Sequence, residues 1–156
     1  MIELDIPGRG KTALKHLVCD VNGTLAIDGE LGEGVAAHLS RLRQELQIHM
    51  VTANIHGCQD SIDQRLGIKA HLIPQGEEAE AKAAYVRSLK AENVVAIGQG
   101  ANDAGMLKQS AIGICVLSAE GLSVEALMAA DIVAQDILSA FSLLENPLRL
   151  VASLRR

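Results

Sequence analysis

The chain has 156 residues, 49% of them hydrophobic and 1% aromatic, and a net charge of −5. A core of this length needs neither disulfides nor metals, so one domain over residues 1–156 is expected. The negative charge, and only Tyr85 and Phe141 as rings on which bases could stack, argue against a nucleic-acid partner. No segment approaches the ~18 apolar residues of a membrane span and no leader-like run opens the chain, so a cytoplasmic protein with no membrane partner is expected. Cys19, Cys58 and Cys115 form no CxxC pair, and buried thiols in a reducing compartment are expected.

Along the chain, short apolar runs alternate with helical patterns. LKHLVCD is followed by GVAAHLSRLRQEL, IHMVTA by CQDSIDQRLG, KAHLIP by EEAEAKAAYVRSLK, NVVAIG by NDAGMLKQS, and AIGICVL by SVEALMAA. DIVAQ and a last helical run from Ile137 to Arg156 close the series. This alternation predicts βαβ units: an α/β, three-layer, Rossmann-like sandwich whose mostly parallel sheet is covered on both faces. VVAIG and GICVL, apolar throughout, read as central strands. On the helix from Glu77 to Lys90, Ala81, Ala84, Tyr85 and Leu89 share the apolar spacing. Between Thr24 and Gly32 the residues alternate around Asp28-Gly29, a type I′ turn pair, which predicts a β-hairpin serving as a flap or as edge protection.

Ligands in such sheets sit at the carboxyl ends of the strands. Asp20 ends the apolar strand HLVCD and opens DVNGT, where Gly23 would let backbone amides, Thr24 included, face an anion. Thr52 ends IHMVTA, with Ala53 and Asn54 after it, and offers a hydroxyl to a phosphoryl oxygen or simply caps a helix. Lys82 on the third helix is either a solvated side chain or, if turned toward Asp20, its counter-charge. GQGAND places Asn102 and Asp103 at the end of VVAIG, as helix caps or as site residues.

These four pieces, in this order, resemble the motif set of the haloacid dehalogenase superfamily, most closely its soluble, capless members similar to the phosphorylation domain of P-type ATPases. The resemblance implies Asp20 as phosphoryl-accepting nucleophile and Lys82 as its lysine partner. It implies phosphate binding by Gly23, Thr24, Thr52, Ala53, Asn54 and Asn102, and Mg²⁺ held by Asp20, Asn22, Gln99 and Asp103. Two residues depart from the family pattern. Asn22 stands where the phosphatases have an Asp that trades protons with the leaving group and water, and an amide cannot do that work. Gln99 stands where an Asp commonly ligates the metal, and a neutral amide is a poorer ligand for a hard dication. The intervals that hold a cap in the family are short here, so no cap domain is expected. An open site suits a phosphorylated small molecule, an exposed phosphate on a larger substrate, or a homo-oligomer in which a neighbour supplies cover.

Other signals carry less. GRGKT at Gly8 to Thr12 resembles the end of a P-loop, but Asp5 stands where that motif requires glycine. His16, His38, His49, His56 and His71 lack paired metal-ligand spacing, and His56 reads as a surface residue at a helix start. NPLRLVASLRR reads as a docked terminal helix or a subunit interface. The resemblance thus implies a Mg²⁺-dependent phosphatase acting through Asp20. A phosphate-binding or regulatory module with little catalysis, and a slow switch that traps the aspartyl-phosphate, are the alternatives raised by Asn22 and Gln99.

Overall fold

The computed structural model describes residues 1–54 and 57–156. It begins with an antiparallel hairpin of β1 (Ile2–Ile6) and β2 (Gly10–Leu14), followed by β3 (His16–Asp20). The predicted flap follows as β4 (Ala26–Ile27) and β5 (Glu30–Leu31), turning through Asp28 and Gly29 at φ 51° and 82° as a type I′ turn requires. The remaining elements are α1 (Val35–Leu42), β6 (Gln47–Thr52), α2 (Gln59–Leu66), β7 (His71–Leu72), α3 (Glu78–Ser88) and β8 (Val94–Gly98). After these come α4 (Ala104–Gln109), β9 (Ile112–Val116), α5 (Val124–Ala129), β10 (Ile132–Ala134), α6 (Ile137–Glu145) and α7 (Pro147–Leu154).

Six of these strands form one parallel sheet in the order β10-β9-β8-β3-β6-β7, the expected α/β Rossmann-like arrangement. Strand alternation divides the core between its two faces. Leu17, Cys19, Met50, Val95 and Ile97 pack with Leu39, Phe141 and Leu150 on one face. Val18, Val51, Val94 and Ala96 pack with Val86, Met106, Leu107 and Ala126 on the other. From β3 the chain adds strands toward β7, then returns to β8 and proceeds toward β10. The order therefore reverses between β3 and β8, where the carboxyl ends open a crevice.

Four details differ from expectation. Residues 1–14, assigned no element from sequence, form the first hairpin, whose Ile2, Leu4 and Ile6 point inward, and GRGKT spans its turn and the start of β2. On α3 the buried stripe is Lys82, Ala83 and Val86, with Ala84 exposed, because the helix turns toward the site rather than along its most apolar side. The last helical run breaks at Asn146-Pro147 into two helices bent by 100°, proline supplying no amide to continue α6. Cys19 and Cys115 are buried as expected, but Cys58 is exposed, since it precedes α2 at the surface. His56 lies outside the described residues. Among the described residues, no single helix is long and apolar enough to cross a membrane. The C-terminal segment docks as α7, burying Leu150 and Leu154.

Candidate active site

At the crevice between β3 and β8, the alternation of β3 sends Asp20 to the same face as Val18, toward α3. Lys82 reaches it from there. The Lys82 ammonium donates to Asp20 Oδ1 at 2.6 Å and to Asp103 Oδ1 at 2.7 Å, with all three side chains nearly sealed from solvent. Lys82 is thus the counter-charge rather than a solvated lysine. The second oxygen of Asp20 accepts from the Thr24 hydroxyl at 3.0 Å. The second oxygen of Asp103 accepts from the backbone amides of Gln99 and Gly100, both at 2.9 Å. Gly98 makes room for that fold-back: a Cβ there would come within 2.6 Å of Asp103 Cγ.

Two buried carboxylates share one ammonium, which leaves a negative charge uncompensated. Burial, and then the Asp103 carboxylate, push the Asp20 carboxyl up to about 7 against the opposing pull of Lys82. Burial alone would lower the Lys82 ammonium, but Asp20 and Asp103 outweigh it and raise it. Hard oxygen donors carrying excess negative charge suit a small divalent cation. Asp20, Asp103 and the Asn22 carbonyl could supply those oxygens. Gln99 sits beside them, its Nε2 donating to the Asn22 carbonyl at 3.4 Å.

Thr52, at the end of β6, is 1% exposed. Its hydroxyl oxygen accepts from Asn22 Nδ2 and from the Asn54 amide, both at 3.1 Å. With its lone pairs engaged, the hydroxyl hydrogen has no acceptor among the described residues and remains available to a phosphoryl oxygen. An Asp at position 22 would instead accept that hydrogen. Asn22 therefore has a positional consequence that sequence reasoning missed.

Other candidates are placed differently from expectation. Gly23 does take the left-handed conformation, at φ 80°. However, its amide donates to Ala26 O and that of Thr24 to Val21 O, because the tight turn consumes them, so neither faces an anion. Thr24 acts instead through its hydroxyl on Asp20. Asn54 caps α2, its Oδ1 accepting from the Gln59 amide, with Ala53 half-buried beside it. Asn102 folds back against Gly100 on the edge of the crevice. Sequence reasoning also missed Glu120, whose carboxylate lies against Gly23 beside Gln99; its loop carries no local signal that points to the site.

A family model of haloacid dehalogenase-like hydrolases matches residues 36–136. The chain belongs to the haloacid dehalogenase-like hydrolases. The matched span contains Thr52, Lys82, Gln99 and Asp103, while Asp20 precedes it. The chain is 42% identical over 84 residues to an uncharacterised protein of Methanocaldococcus jannaschii, covering 51% of this chain and 90% of that one. It is 28% identical over 137 residues to the cadmium, zinc and cobalt-transporting ATPase of Bacillus subtilis, covering 83% of this chain but 19% of the ATPase. Its fold is similar to that of the 3-deoxy-D-manno-octulosonate 8-phosphate phosphatase of Moraxella catarrhalis, solved with magnesium, phosphate and sugar. The TM-score is 0.65 at 17% identity, covering 91% of this chain and 87% of that one.

Proposed function

We propose that residues 1–156 act as one unit, a Mg²⁺-dependent phosphatase that works through an aspartyl-phosphate on Asp20. The observation that carries this reading is the buried Asp20–Lys82–Asp103 cluster at the sheet's switch point, with the Thr52 hydroxyl, whose hydrogen has no acceptor among the described residues, at the end of the neighbouring strand. Asp20 attacks phosphorus and the alcohol departs. Water then attacks the aspartyl-phosphate, releasing phosphate and restoring the carboxylate. Lys82 and Thr52 neutralise and orient the phosphoryl oxygens, while Thr24 fixes the Asp20 carboxylate. Asp20, the Asn22 carbonyl and Asp103 would hold Mg²⁺, which supplies charge neutralisation when bound.

Asn22 cannot protonate the departing alcohol, so turnover of alkyl esters is expected to be slow by about 10²- to 10⁴-fold relative to a site with an Asp there. The substrate is a phosphorylated small molecule or an exposed phosphate, met in the cytoplasm. The magnesium and phosphate in the Moraxella catarrhalis enzyme support this reading. The test is phosphate release from p-nitrophenyl phosphate with and without Mg²⁺, in wild type, Asp20→Asn and Asn22→Asp. Release that requires Mg²⁺ and Asp20 supports the phosphatase. Release by Asn22→Asp alone favours the second reading, a phosphate-binding module that has lost its proton-transfer step.

A further inference from the structure

The segments around the site for an anionic group carry negative charge and no lysine or arginine in sequence. None of the chain's 14 Lys and Arg residues lies in the segments that follow the carboxyl ends of β3, β6, β7, β8, β9 and β10. Besides the buried Asp103, those segments carry Asp28, Glu30, Glu33, Glu77, Glu120 and Asp136, and Glu78 opens α3 directly after one of them. Lys82, the only nearby cation among the described residues, is buried and engaged by two carboxylates. Glu120 is the member closest to the chemistry. Its Oε2 lies 2.7 Å, and Gln99 Nε2 2.1 Å, from where a Cβ on Gly23 would stand. Its loop is anchored there by the Ser123 amide, which donates to Gln99 O at 2.9 Å. On the other flank, a cleft of ≈ 700 Å³ is lined by Glu77, Glu78, Glu80, Asn102 and Glu125.

This arrangement is unfavourable for an ester whose alcohol part is also anionic, because Glu120 and the cleft glutamates stand beside the crevice with no lysine or arginine in the segments around it to offset them. A positively charged alcohol part is favoured twice. It is attracted by the rim, and its charge stabilises the departing alkoxide that Asn22 cannot protonate. Building on the phosphatase reading, we infer that the substrate is a phosphate monoester of a cation-bearing alcohol and that Glu120 is a specificity residue contacting that cation. Bond changes are those of the phosphatase reaction: the P–O bond to the alcohol breaks, a P–O bond to Asp20 forms, and the alkoxide takes its proton from water.

The test compares kcat/KM for phosphocholine and phosphoglycolate in wild type and Glu120→Lys at low ionic strength. Wild type is expected to favour phosphocholine by about tenfold or more, and Glu120→Lys to narrow that ratio about tenfold. Added salt should shrink the wild-type preference. A ratio unchanged in Glu120→Lys, or a wild-type preference for phosphoglycolate, overturns the inference even if p-nitrophenyl phosphate is hydrolysed. If no ester is hydrolysed, the phosphatase reading fails, and thermal midpoints with each of the two esters at millimolar concentration decide the rim. A larger upward shift with phosphocholine, lost in Glu120→Lys, supports it. Equal shifts, no shift, or a larger shift with phosphoglycolate overturn it.

Discussion

Lys82 is a cation whose burial is tolerable only because Asp20 and Asp103 surround it, and the converse holds for them. Lys82→Met would leave two carboxylates buried without a counter-charge. The expected loss is about 3–5 kcal/mol of unfolding free energy at pH 8. Urea denaturation should show that gap narrowing toward pH 5, where protonation relieves the repulsion. Asp20→Asn should act in the opposite direction. The folded carboxyl sits at about 7 against an ordinary 3.8, so ionising it opposes folding, and stability is lost as pH rises between those values. Asp20→Asn is therefore expected to be more stable than wild type at pH 8, while phosphate release disappears. Equal stability of the two proteins at pH 8 would contradict that account. Helical spacing assigned α3's inward side to Ala81, Ala84, Tyr85 and Leu89, and left Lys82 open between a solvated side chain and a counter-charge until the resemblance gave it a role. Periodicity reports hydrophobicity, and a buried lysine is invisible to it.

Among the elements, β6 and α3 bring Thr52 and Lys82 to the same crevice, and polar side chains tie them together beneath it. His49 on β6 shares hydrogen bonds with the Tyr85 hydroxyl of α3 at 2.9 Å and with His16 of β3 at 3.1 Å, while His71 stacks on Tyr85. Burial, then His16, lowers the His49 imidazole to about 4. A histidine lowered on folding contributes stability that is present above its ordinary 6.5 and lost as pH falls toward 4. Wild type should lose about 2 kcal/mol over that window, allowing for water that reaches the pair, and His49→Gln should flatten the curve. Thermal midpoints across the window would check this, and a slope unchanged in His49→Gln would refute it. Uniformly apolar stretches such as VVAIG and GICVL were legible as central strands because both faces of the sheet are covered. The β1–β2 hairpin was not, since GKTAL shows no apolar alternation and takes its structure from pairing with IELDI. The bend at Pro147 was missed because hydrophobic periodicity continues through it.

For the molecule as a whole, the expected parallel sheet could be read from alternating patterns, but the meeting of Asp20, Thr52, Lys82 and Asp103 could not be read from spacing. They sit at the ends of three strands and on a helix, and strand order alone decides that β3 lies between β6 and β8. The family resemblance grouped the four residues into one site but gave no strand order. Because β3 and β8 are central and buried, a cation bridging their ends would hold together the two halves of the sheet, and its binding should appear in global unfolding. Gln99 weakens such binding by donating to the Asn22 carbonyl instead of offering a carboxylate. Gln99→Asp removes that donor and adds a charged oxygen, so Mg²⁺ affinity is expected to tighten about tenfold or more. In the absence of Mg²⁺ the same change puts a third carboxylate near one ammonium and should lower the thermal midpoint. The two effects have opposite signs, so midpoint curves of wild type and Gln99→Asp against Mg²⁺ concentration should cross. Parallel curves would mean that Mg²⁺ does not bind between β3 and β8, and would remove the metal from the proposed reaction.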